Sequence, residues 1–461
     1  MTLWTSAEIE AATGGTASAP FACTGVTFDS REVGPGDLFV AMPGTVHDGH
    51  NFVDAAFAAG AAGALLSQPV EGPHVLVGDV AEALTALAVT ARERMSGTVI
   101  GVTGSVGKTS IKEALAAALE RSRRGPVHKS VKSYNNHTGV PLSLARMPRG
   151  SAFAVLEMGM NNAGEIAALT RLVRPHIALI TAIAPAHIEN LGSIEAIADA
   201  KGEIFQGLEP NGVAIIAEDS RQRGRLVRAA RDVADRVITF GLSHEADVTA
   251  LHAVRSDDGG YLITARLLDS ELTFTLAQPG EHWVSNALAV LAAVEAAGGD
   301  LAAAGLALAD MAGLKGRGER HCLRIGHGEA LLIDESYNAN PASMAATLKS
   351  LGAEAAVRRI AVLGPMRELG QHADDLHAAL AEPVLDARVD HLILIGGDMA
   401  PLARALGDKV RIDRAETVDE ATELLLAMLA PGDAVLVKAS NSVGLARLVE
   451  RVSESEATCS I

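Results

Sequence analysis

Aromatic side chains are scarce in this chain: nine Phe, three Tyr and two Trp make up 3% of its 461 residues. So few rings argue against the stacking platforms on which single-stranded nucleic acids lie. Basic charge is also short, with 39 Lys and Arg against 56 Asp and Glu and a formal net charge of −17. With no basic block, a nucleic-acid backbone finds no electrostatic footprint, and any anionic ligand must be held by a local site. Cysteine occurs three times, at Cys23, Cys322 and Cys459, at spacings that fit neither a disulfide framework nor a zinc site. A reducing cytoplasm is the simplest compartment for such a chain. Hydrophobic residues reach 48%, yet no run approaches the roughly 18 uninterrupted apolar residues of a membrane span. The opening MTLWTSAEIEAATGG lacks the basic start and apolar stretch of a signal peptide. These absences predict a soluble protein that stays where it is made.

The length suggests three domains at about 100 to 200 residues each. From residue 98 onward, apolar runs alternate with Ala- and Leu-rich amphipathic segments, as expected for strands alternating with helices. TVIGVTG, AFAVLEMG, HIALITAI, GVAIIAE and RVITFG read as buried parallel strands, with SIKEALAAALE and AGEIAALTRLV as covering helices. GGYLITARLLDSELTFTLAQPG reads as a small antiparallel annex, followed by a helix near VSNALAVLAAVEAAG. A second alternating series, ALLIDES, RIAVLGPM, HLILIGG and DAVLVKAS, begins after the Gly- and charge-rich stretch MAGLKGRGERH. The reading is therefore α/β in three domains. A small mixed domain spans 1–97, a doubly wound, mostly parallel domain 98–314, and a Rossmann-like domain 315–461. The final SESEATCSI reads as a frayed end.

GVTGSVGKTS, residues 101–110, resembles a phosphate loop displaced by one place, with Val102 where the first glycine of the usual signature belongs. Its position between the strand TVIGV and the helix SIKEALAAALE separates a phosphate loop from an ordinary turn. Gly104, Ser105, Val106 and Gly107 let backbone N–H groups close round an anion at a helix start, with Ser110 in its first turn. Lys108 can reach the β and γ phosphates, and the Thr109 hydroxyl can ligate Mg²⁺. A merely structural turn would leave Lys-Thr at the helix start unexplained.

Glu157 ends the apolar strand AFAVLE and so lies at the carboxyl edge of a parallel sheet, where ligands collect. A phosphate-bridging Mg²⁺ takes few protein oxygens, and this carboxylate suits it. His187, in APAHIEN, follows the next strand to the same edge, although a lone histidine is more often structural. Lys201, in IADAKGEIFQGL, reads from spacing alone as a solvated helix lysine.

Taken in order, these stretches resemble the Mur ligases, ATP-dependent amide-forming enzymes of peptidoglycan precursor synthesis, over nearly the whole chain. The displaced loop, Glu157, AHIEN and DAKGEIF match the family's phosphate and metal region, and SNALAVLAA, GRGER and DESYNANP its later nucleotide contacts. YNNHTGVPLSLAR, EMGMNNAGEI, LGPMRELG and KASNSVG resemble the branch that adds D-alanyl-D-alanine to a UDP-N-acetylmuramoyl-tripeptide. The DNPR-like stretch of the diamino-acid-adding branch is absent.

The resemblance implies that Lys108 and Thr109 engage ATP and Mg²⁺, and that Glu157 and His187 help hold metal. It makes Lys201 a carbamylated lysine supporting a second Mg²⁺. It assigns Asn286 to the adenine, Arg317 to a phosphate and Asp334 to the ribose. Lys108, His187, Lys201 and Arg317 form the implied catalytic set. Ser30, Arg31, Asp48, Gly49 and His50 mark the uridine-nucleotide region. Asn135, Asn136, Asn338, Asn340, Lys438, Ser440 and Asn441 are further substrate candidates, with Asn338 and Asn340 also suited to forming the turn before Pro341. No nucleic-acid or membrane partner is implied, and a monomer is expected.

Two departures stand out: Pro365 replaces an acid in LGPMRELG, and Ala439 stands where the family often has Gly. Proline supplies neither a carboxylate nor a backbone N–H. Another Mur-like ligase, diamino-acid-adding or folyl-polyglutamate-forming, remains an alternative, as does a non-catalytic nucleotide switch. The switch does not account for Asn286, Arg317 and Asp334.

Overall fold

The computed structural model describes residues 2–44, 47–256 and 259–455. Its middle segment forms one nine-stranded sheet. From one edge the order is Glu271–Leu276, Tyr261–Arg266, Val248–Arg255, Arg236–Gly241, Val213–Ala217, Ile177–Ile180, Thr98–Thr103, Phe153–Glu157 and Val127–Lys129. Strands from Val248–Arg255 to Val127–Lys129 are parallel, and the first two continue the same sheet antiparallel. The annex expected from GGYLITARLLDSELTFTL is thus a sheet extension.

Central strands are apolar throughout because both faces are covered. Ile100 and Val102 face the helices Lys108–Arg121 and Glu281–Ala296, in a core with Ile111, Leu115, Val284 and Leu288. Val99 joins the opposite core with Ile166, Leu169, Ile197 and Ile204. Chain connections leave Thr98–Thr103 toward Val127–Lys129 and Phe153–Glu157 on one side and Ile177–Ile180 on the other. This creates a switch point at that strand's carboxyl end, where an open sheet leaves a crevice.

The last segment forms a six-stranded sheet in the order Glu319–Ile325, Gly328–Glu335, Asp433–Lys438, Arg358–Leu363, His391–Ile395 and Arg411–Ala415. Only the first strand is antiparallel to its neighbour. The first segment carries a five-stranded sheet, four strands of it parallel, with the helix Val80–Glu93. Trp4 ties it to the middle segment: its indole Nε1–H donates to the Ala145 carbonyl at 2.8 Å, beneath the Arg94 guanidinium at 3.7 Å from the ring centroid.

In the middle and last sheets, four strands, Val127–Lys129, Val248–Arg255, Glu319–Ile325 and Arg411–Ala415, were not expected from hydrophobic pattern. Cys23 is a buried free thiol, as the cysteine spacing suggested. Cys459 with most of the terminal SESEATCSI lies outside the described residues. Among the described residues no helix is long and apolar enough to cross a membrane.

Candidate active site

The displaced loop follows Thr98–Thr103 and feeds the helix Lys108–Arg121. Gly104 has φ +150°, and a Cβ placed there would lie 1.8 Å from Thr181 Oγ1. Only glycine fits. Gly107, at φ +85°, turns the chain into the helix, against the Asn286 side chain. Ser105 fastens the loop to the stretch that follows Ile177–Ile180: its Oγ donates to the Ala184 carbonyl at 2.9 Å and accepts from Ala184 N–H at 3.0 Å. Lys108 folds back along the loop, its Nζ donating to the Gly104 carbonyl at 2.8 Å. Burial lowers the Lys108 pKa, Glu157 opposes that shift and Arg317 adds to it.

Glu157 is 1% exposed at the end of Phe153–Glu157. Its Oε2 accepts from the Thr109 hydroxyl at 2.8 Å and its Oε1 from the Asn135 amide at 2.7 Å. Its own N–H donates to Ser130 Oγ at 3.0 Å. A buried carboxylate and a hydroxyl thus converge at a helix start. This all-oxygen pair suits a hard cation such as Mg²⁺.

Lys201 lies in the last turn of Ile194–Gly202 and is 1% exposed. The solvated lysine expected from spacing is corrected: tertiary packing covers it. Burial, and then the charge of Lys108, push its amine well below the ordinary lysine range. A neutral amine is the form that reacts with CO₂. His187 opens the short helix Ile188–Leu191, and its Nδ1 pairs with Glu368 from the last segment.

A cavity of about 460 Å³ gathers the loop from Ser105 onward with Glu157 and His187, while Gly104 and Lys201 are not in its lining; its volume is within the usual size range of small-molecule sites. Ser105, Val106, Gly107, Lys108, Thr109 and Ser110 line one wall. Asn135, Asn136, Glu157, His187 and Asn286 join them. Arg317, Asn338, Asn340 and Lys438 close it from the last segment. Arg317 stacks over the Tyr337 ring, 4.0 Å from guanidinium carbon to centroid. Lys438 is 2% exposed, and its Nζ donates to the Asn338 carbonyl at 2.9 Å and to Glu335 at 3.2 Å.

Three family models match in order: "Mur ligase family, catalytic domain" over 22–97, "Mur ligase middle domain" over 102–294, and "Mur ligase, glutamate ligase domain" over 316–441. The chain is 34% identical over 438 residues to the UDP-N-acetylmuramoyl-tripeptide--D-alanyl-D-alanine ligase of Escherichia coli K12, covering 94% of each chain. The chain belongs to the Mur ligase family. The Bacillus subtilis enzyme of the same name is 35% identical over 442 residues, 94% of this chain and 93% of that one. Among solved structures, a MurF from Acinetobacter baumannii superposes with TM-score 0.83 at 29% identity, covering 98% of this chain and 99% of that one. A MurF ligase from Thermotoga maritima in complex with ADP gives 0.76 at 27% identity, covering 93% and 97%.

Several residues singled out from this Mur ligase's sequence stand apart from the cavity lining. Asp334 is 1% exposed, and both its oxygens accept backbone N–H groups, from Gly316 at 2.9 Å and Ser336 at 3.0 Å. Here it pins the GRG stretch to the sheet. Ser440 Oγ accepts from Arg367 N–H at 2.9 Å, and Asn441 begins a short 3-10 turn. Asn340 does line the cavity, but its side chain is engaged in capping the helix Pro341–Gly352 through a reciprocal pair with Ser343. Ser30 opens a one-turn helix at whose start Arg31 pairs with Asp29. Gly49 and His50 follow Asp48, which accepts from the His50 backbone at 3.0 Å and its ring at 2.6 Å. Conversely, Ser133, Glu335, Tyr337 and His282 line the cavity without having been singled out. Tyr337 and Glu335 sit inside the DESYNANP stretch, so the motif carried a signal for them. His282, whose pKa burial lowers, had none.

Proposed function

We propose that this Mur ligase joins D-alanyl-D-alanine to a UDP-N-acetylmuramoyl-tripeptide with hydrolysis of ATP to ADP and phosphate. One observation carries the reading: a phosphate loop and the opposing Arg317, Asn338 and Lys438 from another sheet face a single cavity. That layout suits a reaction in which a nucleotide and two further substrates must meet. The names of the Escherichia coli and Bacillus subtilis relatives support the dipeptide as the amine.

A carboxylate does not form an amide usefully without activation, because oxide is too poor a leaving group. Transfer of the γ-phosphoryl group to the peptide carboxylate gives an acyl phosphate. The dipeptide amine then attacks, and the tetrahedral intermediate expels phosphate. Phosphoryl transfer asks for alignment and neutralised charge. Lys108, released from the Gly104 carbonyl, and Arg317, held over Tyr337, would supply both. Thr109 and Glu157 would hold Mg²⁺, which on binding neutralises phosphate charge, with His187 and a carbamylated Lys201 serving a second ion. Asn286 would meet the adenine, and Asp334 would serve the ribose end by holding the GRG stretch in place. Asn135, Asn136, Asn338, Asn340, Lys438, Ser440 and Asn441 would face the peptide substrates, and Ser30, Arg31, Asp48, Gly49 and His50 the uridine end. We also propose domain limits of 1–97, 98–314 and 315–461, action as a monomer, and a cytoplasmic setting where ATP is available.

In Lys108→Ala, phosphate release that requires both the UDP-tripeptide and D-alanyl-D-alanine should collapse while the melting temperature holds. Near-normal turnover would sink the assignment. Mass spectrometry of products from separate candidate amines distinguishes dipeptide addition from diamino-acid or glutamate addition, and ATP binding without any amide product would favour a switch.

A further inference from the structure

Arg317 lines the cavity without a carboxylate to hold it. Among the described residues no acid lies within ion-pair distance of its guanidinium, which rests instead on the Tyr337 ring, 4.0 Å from the centroid. The stretch that carries it is closely fixed. Gly316 and Gly318 on either side have φ +73° and +88°, Arg317 N–H donates to the Leu314 carbonyl at 2.7 Å, and Gly318 N–H to the Asp334 carbonyl at 2.9 Å. The backbone is thus set, and the ring is what the side chain leans on.

Tyr337 is held from two sides. Its N–H donates to the Gly316 carbonyl at 3.1 Å, and a Cβ at Gly316 would lie 2.9 Å from the Tyr337 Cβ, so the tyrosine and the GRG stretch pack in contact. Its hydroxyl hydrogen-bonds with Ser133 Oγ, which belongs to the middle segment and also lines the cavity. Ser133 follows Ser130 and Lys132, whose carbonyls accept from the buried Lys112 Nζ. A chain of contacts therefore runs from the helix Lys108–Arg121, through Ser133 and Tyr337, to Arg317.

An arginine paired with a carboxylate spends donors on that partner, and a ligand must displace it. One held on the face of a ring keeps its five N–H donors for a ligand. It also has less freedom left to lose when the ligand binds. We infer that Tyr337 is the positioning residue for Arg317: its ring holds the guanidinium at the cavity wall, and its hydroxyl sets that ring against Ser133. The effect on nucleotide binding rests on the proposed phosphate role of Arg317; the contact itself does not.

The test uses the full chain labelled with ¹⁵N-arginine, with isothermal titration of a non-hydrolysable ATP analogue and of adenosine. The Arg317 Nε–H signal, assigned by its loss in Arg317→Ala, should carry a ring-current shift in wild type and Tyr337→Phe that disappears in Tyr337→Leu. Tyr337→Leu should weaken the analogue by about 2- to 5-fold and leave adenosine unchanged. Tyr337→Phe should recover most of that loss, which separates the role of the ring from a folding defect. In the Arg317→Ala background Tyr337→Leu should cost nothing further; an equal loss with and without Arg317 would overturn the inference. Ser133→Ala should match Tyr337→Phe and add nothing to it, and additive losses would remove the hydroxyl from the role. If Arg317→Ala binds the analogue like wild type, the phosphate reading of Arg317 fails, and the ring-current shift alone decides: unchanged in Tyr337→Leu, it rejects the positioning.

Discussion

Gly104→Ala tests the phosphate loop at the point where its shape is least forgiving. The added methyl would sit 1.8 Å from Thr181 Oγ1, 3.0 Å from Thr181 Cβ and 3.2 Å from the Ala182 nitrogen, at a backbone φ of +150°. The backbone strain alone is worth about 1–3 kcal/mol. Turning the Thr181 hydroxyl aside also breaks its hydrogen bond to the Val106 carbonyl, adding about 1 kcal/mol. The loop can shed this energy only by moving Ser105, Val106 and Gly107, which line the cavity wall. If it relaxes by about 2 kcal/mol in the free protein and must return to bind, ADP affinity falls roughly 30-fold. Isothermal titration with ADP, beside a melting curve, reads both terms. Gly104→Ala/Thr181→Gly should regain the overlap component but not the φ component. Wild-type ADP affinity in the single variant would refute the cradle geometry, and no recovery in the double variant would refute the Thr181 contact.

Lys112 is wholly buried and donates from Nζ to the Ser130 carbonyl at 3.0 Å and to the Lys132 carbonyl. Lys112→Met should therefore loosen the stretch that carries Ser133 and Asn135, raising KM for the UDP-peptide in steady-state assays while ADP affinity stays near wild type. Trp4→Ala should cost about 3–5 kcal/mol, read as a lower urea midpoint, because the indole is fully buried against Ala145 and Arg94. His128 is pushed down to about 4, mainly by burial. Its folded pKa lies below the unfolded value of about 6.5, so the unfolded chain binds the extra proton. That residue's contribution is present in full above about pH 6.5 and declines toward pH 4, by at most about 3 kcal/mol; urea midpoints at several pH values should fall less in His128→Gln.

The parallel strands were legible because a strand covered on both faces must be apolar along its length, as IALI and the first four residues of FAVLE are. The four strands that hydrophobic pattern did not reveal lack that signature. Val127–Lys129 and Arg411–Ala415 are edge strands, and ERHCLRI lies at an edge with charge along it, as edges resist further pairing. VTALHAVR is exposed over its outer four residues, so half of it reads like a loop.

The site divides along a similar physical line. The phosphate loop was legible because strand, glycines, Lys108 and helix are consecutive, and Glu157 because an acid ending an apolar run has a fixed place on a sheet edge. Lys201 shows the opposite case. Its helix spacing suggested solvent, and only the packing of distant elements reveals that its amine is buried beside Lys108. Asp334 looked like a ligand residue, yet both oxygens are taken by backbone donors that spacing could not locate. The substitution at Pro365 drew attention to a lost acid, whereas the structure places a carboxylate at Glu368, against a histidine 181 positions earlier in the chain. A pairing across that separation leaves no periodic trace in either segment. It becomes visible only where the last sheet meets the middle one, because the contact joins two loops that no local spacing relates.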